Sequence, residues 1–211
     1  EKIFRKVIGF DLNTKRINEL ENGFDKTKEV PKEVLLEALS SEEKTLQFTE
    51  DENLLNDSDV YIVTVPTPVD NAKKPDLNPI KKACKTIGEI LKNRYQNKIK
   101  TEEYTIPIII FESTVFPGAT EEICVPMIQK YSGLEYNTST KNSFACGYSP
   151  ERINPGDKKH NLSSIVKITS GSNELVKSWI DDFYSSIIKA GTFSVKNIKI
   201  AESAKVIENT Q

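Results

Sequence analysis

The sequence has 211 residues, 29 basic and 31 acidic side chains, a net charge of −2 and a mean hydropathy of −0.45. That length can bury a full core, and so balanced a charge gives no electrostatic case for a nucleic-acid partner. The longest apolar run, Ile108 to Phe111, is too short to cross a bilayer and no charged-then-apolar leader opens the chain, so a soluble protein without a membrane partner is expected, and the cysteine usage fits a reducing cytoplasm. Cys84, Cys124 and Cys146 are odd in number and widely spaced, which offers no disulfide framework and no C-x-x-C pair. His160 is the only histidine, so neither a His-built metal site nor a Ser-His-Asp triad is expected.

The first element is a short apolar run at 7–10 ("VIGF"), ended by Asp11 and followed by Arg16. In a dinucleotide-binding βαβ unit, an acidic residue at a strand's end accepts the adenosine ribose hydroxyls, about 20 residues after a glycine-rich turn that holds the pyrophosphate. Only ten residues precede Asp11, and they supply no such turn. Asp11 therefore has two readings: a ribose acceptor with Arg16 at the adenosine end, or an N-cap or solvated turn acid for a helix over 14–22.

A second apolar run at 60–65 ("VYIVTV") ends in "VPTPVD", Val65 to Asp70. Pro66 and Pro68 flank Thr67 and stiffen the backbone where a parallel strand meets its ligand crevice, although an ordinary strand-ending turn would look the same. Next, Asn78 as N-cap and Pro79 at N1 open a predicted helix with Ile80, Ala83, Cys84, Ile87, Ile90 and Leu91 on one stripe. Residues 93–105 are polar and read as its solvated end and a loop.

The third run, 107–111, leads into "ESTVFPGATEE". Ser113 and Thr114 place hydroxyls at the strand's end, and Pro117-Gly118 enter a helix whose free N–H groups can meet a cofactor or a phosphate. A cap by Thr120, with acids in the first turn, is the plainer account of the same residues. Pro126 is expected to bend or interrupt the helix. Residues 133–143 form a polar connection.

A weaker run at 144–147 precedes "GYSPERINPGDKKH". There Glu151 can handle a proton or order a water, and Arg152 or His160 can meet a negatively charged substrate. Helical spacing resumes from Asn173 through Leu175, Val176, Trp179, Ile180, Phe183 and Ile187, and a short strand is expected near 192–195. The last stretch, "NIKIAESAKVIENTQ", reads as a helix on which Lys205 and Asn209, four apart, share a face. They can stabilise a developing oxyanion, or Lys205 can simply pair with Glu202 in solvent.

Strands without polar alternation that alternate with helices point to an α/β fold, a Rossmann-like doubly wound parallel sheet with ligands at the carboxyl ends of its strands.

Taken in order, "VIGFDLNTKRINEL", "TVPTPVD", "KPDL", "ESTVFPGATEE", "YSPERINPGDKKH" and "AESAKVIENT" resemble the family of UDP-glucose and GDP-mannose dehydrogenases. "GYSPERINPGD" is most similar to the branch acting on UDP-N-acetylhexosamines, with UDP-glucose 6-dehydrogenase the neighbouring alternative. The resemblance implies oxidation of a sugar C6 alcohol by NAD⁺, through an aldehyde and a cysteine thioester, to a carboxylate for surface polysaccharide, with no metal. It assigns Asp11, Arg16, Pro66, Thr67, Thr114 and Glu151 to the cofactor. Thr114, Glu151, Lys205 and Asn209 become the catalytic set, and Glu151, Arg152, His160, Lys205 and Asn209 meet the UDP-sugar.

The resemblance further implies that residues 1–195 form an NAD-binding domain lacking its first βα unit, and that 196–211 begin a linking and dimerisation helix of a homodimer. The glycine-rich turn is expected before Glu1 and the nucleophilic cysteine beyond Gln211, so this chain is expected to be a piece that is inactive alone. A non-catalytic nucleotide-binding remnant is the rival of another class. Without the first strand, apolar faces and strand edges are expected to stand open.

Overall fold

The apolar runs read from the sequence all fold as strands of parallel pairs. The computed structural model describes residues 6–40, 45–69, 75–99, 105–151 and 164–210, and the chain divides into two compact units, Glu1–Asp57 and Ser58–Gln211.

In the first unit, β1 (Val7–Phe10) pairs in parallel with β2 (Leu46–Thr49), placing Val7 opposite Leu46 and Phe10 opposite Thr49. Helices α1 (Thr14–Glu21) and α2 (Lys32–Leu39) separate them. The side chain of Asn13, not Asp11, caps α1 by accepting the N–H of Arg16. The β2 and α2 segments escape periodicity because each is too short to display a period beside its charged neighbours. Among the described residues β1 has β2 as its only strand partner, and Val7 is 52% exposed, so this strand is not covered on both faces.

The second unit is built on a parallel sheet in the order β3-β4-β6-β5. Its strands are β3 (Val60–Val63), β4 (Ile108–Phe111), β5 (Glu135–Tyr136) and β6 (Ser143–Tyr148). Central β4 and β6 are closed to water nearly throughout, which explains their unbroken apolar character. The interior of the polar connection supplies β5, whose two residues carry no strand signal of their own. A further parallel pair, β7 (Lys167–Thr169) and β8 (Thr192–Ser194), meets β6 through an antiparallel bridge between Gly147 and Gly171. Gly147 has to be glycine: a Cβ there would lie 2.2 Å from Ile180 Cδ1 and 2.7 Å from the Ser170 carbonyl oxygen.

Helix α3 (Asn78–Lys98) buries the expected stripe of Ile80, Cys84, Ile87, Ile90 and Leu91. Its start differs from expectation, since Asn78 is already helical, Leu77 holds the cap position, and the Asn78 N–H is taken by Asp76. Pro126 acts as predicted but more gently: a π turn over Thr120–Cys124 passes the Val125 N–H to the Thr120 carbonyl, and α4 (Val125–Ser132) continues with proline in its first turn. The wider π turn just before it is where the helix accommodates a proline that has no N–H to donate. Helix α5 (Glu174–Ser185) is capped by the Asn173 side chain, and α6 (Ile198–Thr210) buries Ile198, Ala201 and Glu202. No helix among the described residues is long and apolar enough to cross a membrane.

Candidate functional site

Loops at the carboxyl ends of β3, β4 and β6 are tied to one another by side chains that the apolar runs end in. The Ser113 hydroxyl donates to the Val65 carbonyl at 2.6 Å, joining the loop after β4 to that after β3. Tyr148, fully buried, donates its hydroxyl to the Ser113 carbonyl at 3.1 Å. Burial pushes this phenol up, and the Glu202 carboxylate adds to the effect. Ser149 closes the set, its N–H on the Phe111 carbonyl and its hydroxyl on the Ile168 carbonyl at 2.7 Å. Ser113 is thus a structural tie rather than a ligand contact, whereas Thr114 beside it is exposed.

Within the loop after β3, Pro66 is exposed and the Thr67 hydroxyl is closed to water without a partner among the described residues. A buried hydroxyl left unpaired carries a desolvation penalty that a ligand can relieve. The amide of Asp76 on the Pro68 carbonyl, at 2.7 Å, holds this loop closed at its far end.

Helix α6 enters the same region twice. The Lys205 ammonium donates to the main-chain carbonyl of Glu151, 54 residues earlier, so two motifs distant in sequence meet. One turn before it, Glu202 is completely buried and accepts the N–H of Gly118 at 2.5 Å and that of Thr120 at 2.9 Å. The free amides and the Thr120 cap read at the Pro117-Gly118 helix start are therefore corrected, while the acids of the first turn, Glu121 and Glu122, stand as read. The Gly118 and Thr120 amides are engaged by a carboxylate of this chain, and the Thr120 hydroxyl caps nothing, being buried and unpaired. The solvated Glu202–Lys205 pair is corrected as well, because Glu202 faces inward. Its position was visible in principle: it falls four residues after Ile198, on the buried stripe.

Beneath the loop after β6 lies a charged cluster absent from the sequence reading. Lys167 Nζ lies 3.0 Å from Glu112 Oε1, with both side chains nearly closed to water, and stands over the Tyr184 ring at 5.1 Å. Tyr184 donates its hydroxyl to the same Glu112 oxygen, and burial, then the Glu112 charge, push that phenol up.

In the first unit Asp11 is exposed at the end of β1, accepting the Asn13 N–H at 2.9 Å through Oδ1. Arg16 places Nη2 2.6 Å from Asp25 Oδ1, while Nη1 is buried without a hydrogen-bond partner among the described residues. Asp25 also accepts the N–H groups of Thr27, Glu29 and Val30 and the Thr27 hydroxyl. Burial alone would raise this carboxyl, but Arg16 and these donors outweigh it and hold Asp25 well below the usual carboxylate range.

Arg152 and His160 lie outside the described residues. Asn209 falls in α6, and its side chain is likewise outside them. Cys84, Cys124 and Cys146 are free and buried. The contact with Cys84, together with burial, raises the Cys124 thiol, and burial raises Cys146, which suits packing rather than nucleophilic attack. Among the described residues no cluster of His, Cys, Asp or Glu is arranged to hold a metal ion.

Comparison with known proteins identifies the family of the chain. Residues 2–188 match the NAD binding domain of the UDP-glucose/GDP-mannose dehydrogenase family. A UDP-N-acetyl-D-glucosamine 6-dehydrogenase from Pseudomonas aeruginosa is 50% identical over 207 residues, and one from Salmonella typhi is 48% identical over the same length. Each alignment takes in 98% of this chain and 44% of the relative, so the chain spans less than half the length of these relatives. The solved UDP-D-ManNAc dehydrogenase of Pyrococcus horikoshii superposes with a TM-score of 0.80 at 27% identity, over 97% of this chain and 44% of that one.

Proposed function

The chain belongs to the UDP-glucose/GDP-mannose dehydrogenase family, whose NAD-binding domain it carries, and from that premise we propose that it serves a UDP-N-acetylhexosamine 6-dehydrogenase. The reaction is NAD-dependent oxidation of a sugar C6 alcohol to the carboxylate, in the cytoplasm, for surface polysaccharide. The observation that carries the reading is the Lys205 ammonium on the Glu151 carbonyl, which brings the last motif onto the loop after β6. The identity of about half its residues with two UDP-N-acetyl-D-glucosamine 6-dehydrogenases supports this branch over the UDP-glucose one.

The residues present fit NAD. In the first unit, exposed Asp11 offers an acceptor for ribose hydroxyls, and the unpaired Nη1 of Arg16 offers a donor to the adenosine end. In the second unit, the residues proposed to face the cofactor are Pro66, Thr67, whose hydroxyl is unpaired among the described residues, Thr114 and Glu151. NAD⁺, when bound, supplies the hydride acceptor. Lys205 stabilises negative charge on the C6 oxygen, helped by Asn209 on the same helix. Glu151 orders the hydrolytic water or acts as its base. Thr114 contacts the reacting groups, and Arg152 and His160 bind the UDP-sugar. Residues 1–195 would form the nucleotide domain and 196–211 the start of a linking helix in a homodimer.

The test is turnover by the protein expressed at the full length its gene encodes, with UDP-N-acetylglucosamine and UDP-glucose as competing substrates. Alcohol to carboxylate is a four-electron change, so two NADH should form per carboxylate. One NADH with free aldehyde would refute the mechanism, and preference for UDP-glucose would refute the branch.

A further inference from the structure

We propose that Glu202 is a positioning residue: by accepting the amides of Gly118 and Thr120 it fixes α6 against the loop after β4 and so keeps Lys205 on the Glu151 carbonyl. The significance attached to Lys205 rests on the function proposed above; the positioning itself rests on geometry alone.

A helix start ordinarily finds its cap among its own first residues. Thr120 is such a residue, yet its hydroxyl is buried and unpaired, while the amides of Gly118 and Thr120 are served by a carboxylate 84 and 82 residues away. A local cap would have satisfied the helix. Importing the carboxylate does something a local cap does not, since it bonds two elements to each other at two points. Gly118 takes part by its backbone, whose φ of 98° lies in the region that favours glycine, and a Cβ there would lie 2.5 Å from Glu122 Oε1.

The bond has leverage on the site because of helical spacing. Glu202 and Lys205 are three apart on α6, on neighbouring turns of a rigid element, so a shift of the helix at Glu202 is transmitted to the ammonium. Lys205 in turn ends on the loop after β6, and the loop that Glu202 holds carries exposed Thr114. One buried carboxylate thus sets the register between two groups of the proposed catalytic set without touching either reacting atom. Its side chain is 0% exposed, so it has no direct access to a ligand.

The experiment uses the full-length protein and a readout that needs no turnover. Lysines are labelled with trace acetic anhydride and each site is read by mass spectrometry, comparing wild type with Glu202→Gln. Loss of one hydrogen-bonded position should raise Lys205 labelling about fivefold or more. Buried Lys167, with its side chain 4% exposed, reports the integrity of the fold in the same spectrum and should stay protected. A selective rise at Lys205 supports the proposal, and unchanged Lys205 labelling overturns it. If Lys167 opens too, the measurement moves to Glu202→Asp, which keeps the charge but withdraws it by one methylene. There a selective rise at Lys205 supports the proposal, and a rise at both lysines or at neither overturns it. In parallel, kcat should fall about tenfold or more in Glu202→Gln, with KM for NAD⁺ little changed. A wild-type protein that labels as expected but oxidises no UDP-sugar would refute the functional reading and leave the positioning role standing.

Discussion

Lys167 and Glu112 form an ion pair at 3.0 Å with side chains only 4% and 14% exposed, and Tyr184 donates to the same carboxylate. Removing one charge strands the other in a site that water barely reaches. Lys167→Met should therefore lower stability by about 3–5 kcal/mol, while the double variant Lys167→Met with Glu112→Gln recovers most of that loss. Urea denaturation of wild type and the two variants checks it, and equal losses in the single and double variants would show that packing, not charge, is what Lys167 provides.

Asp25 makes an acid-side prediction. Its carboxyl is held below its ordinary value in the folded protein, so the folded state gives up its proton more readily than the unfolded one. The stabilisation is fully present above the unfolded value of about 4 and is lost as pH falls below it toward the folded value. Asp25→Asn should be less stable than wild type near neutrality, and the gap should narrow on acidification. A gap that stays constant across the acid range would remove Asp25 as the titrating group.

Thr67 carries a buried hydroxyl with no partner among the described residues. Replacing it with valine removes an unsatisfied group while keeping the shape, so the melting temperature should hold or rise. NAD⁺ affinity should fall about tenfold if that hydroxyl is a cofactor contact, as one lost hydrogen bond implies. Calorimetry with NAD⁺ decides, and unchanged affinity would take Thr67 off the cofactor.

Lys205→Met tests the proposed oxyanion role. Loss of a charged stabiliser should reduce kcat about 10²–10³-fold while the affinity for NAD⁺ changes little. Steady-state kinetics on the full-length enzyme separates the two, and a change confined to NAD⁺ affinity would move Lys205 from chemistry to binding.

How far the site could be read in advance depended on the kind of interaction. Thr67 stood out because two prolines and a strand end are local signals, and the structure leaves its hydroxyl unpaired. Asn78 misled, because an Asn before a proline fits a cap as well as a first helical residue, and the choice fell to Asp76 two residues upstream. Strand β5 gave no signal, since its two residues are strand only through their pairing with β6.

By itself the sequence determined the parallel α/β architecture, the strand ends where ligand groups gather and the buried stripe of α3, since these follow from apolar runs and a period of 3.6 that each segment carries within itself. Only the tertiary structure decided what Glu202, Lys205, Glu112, Lys167 and Asp25 do. A charged residue is read from sequence as solvated until a partner is in view, and those of Glu202, Lys205, Glu112 and Lys167 are supplied by elements 54 to 84 residues away. Asp25, whose donors lie within nine residues, needed a folded turn to gather them. Burial makes such bonds strong, and burial belongs to the packed chain rather than to any stretch of it.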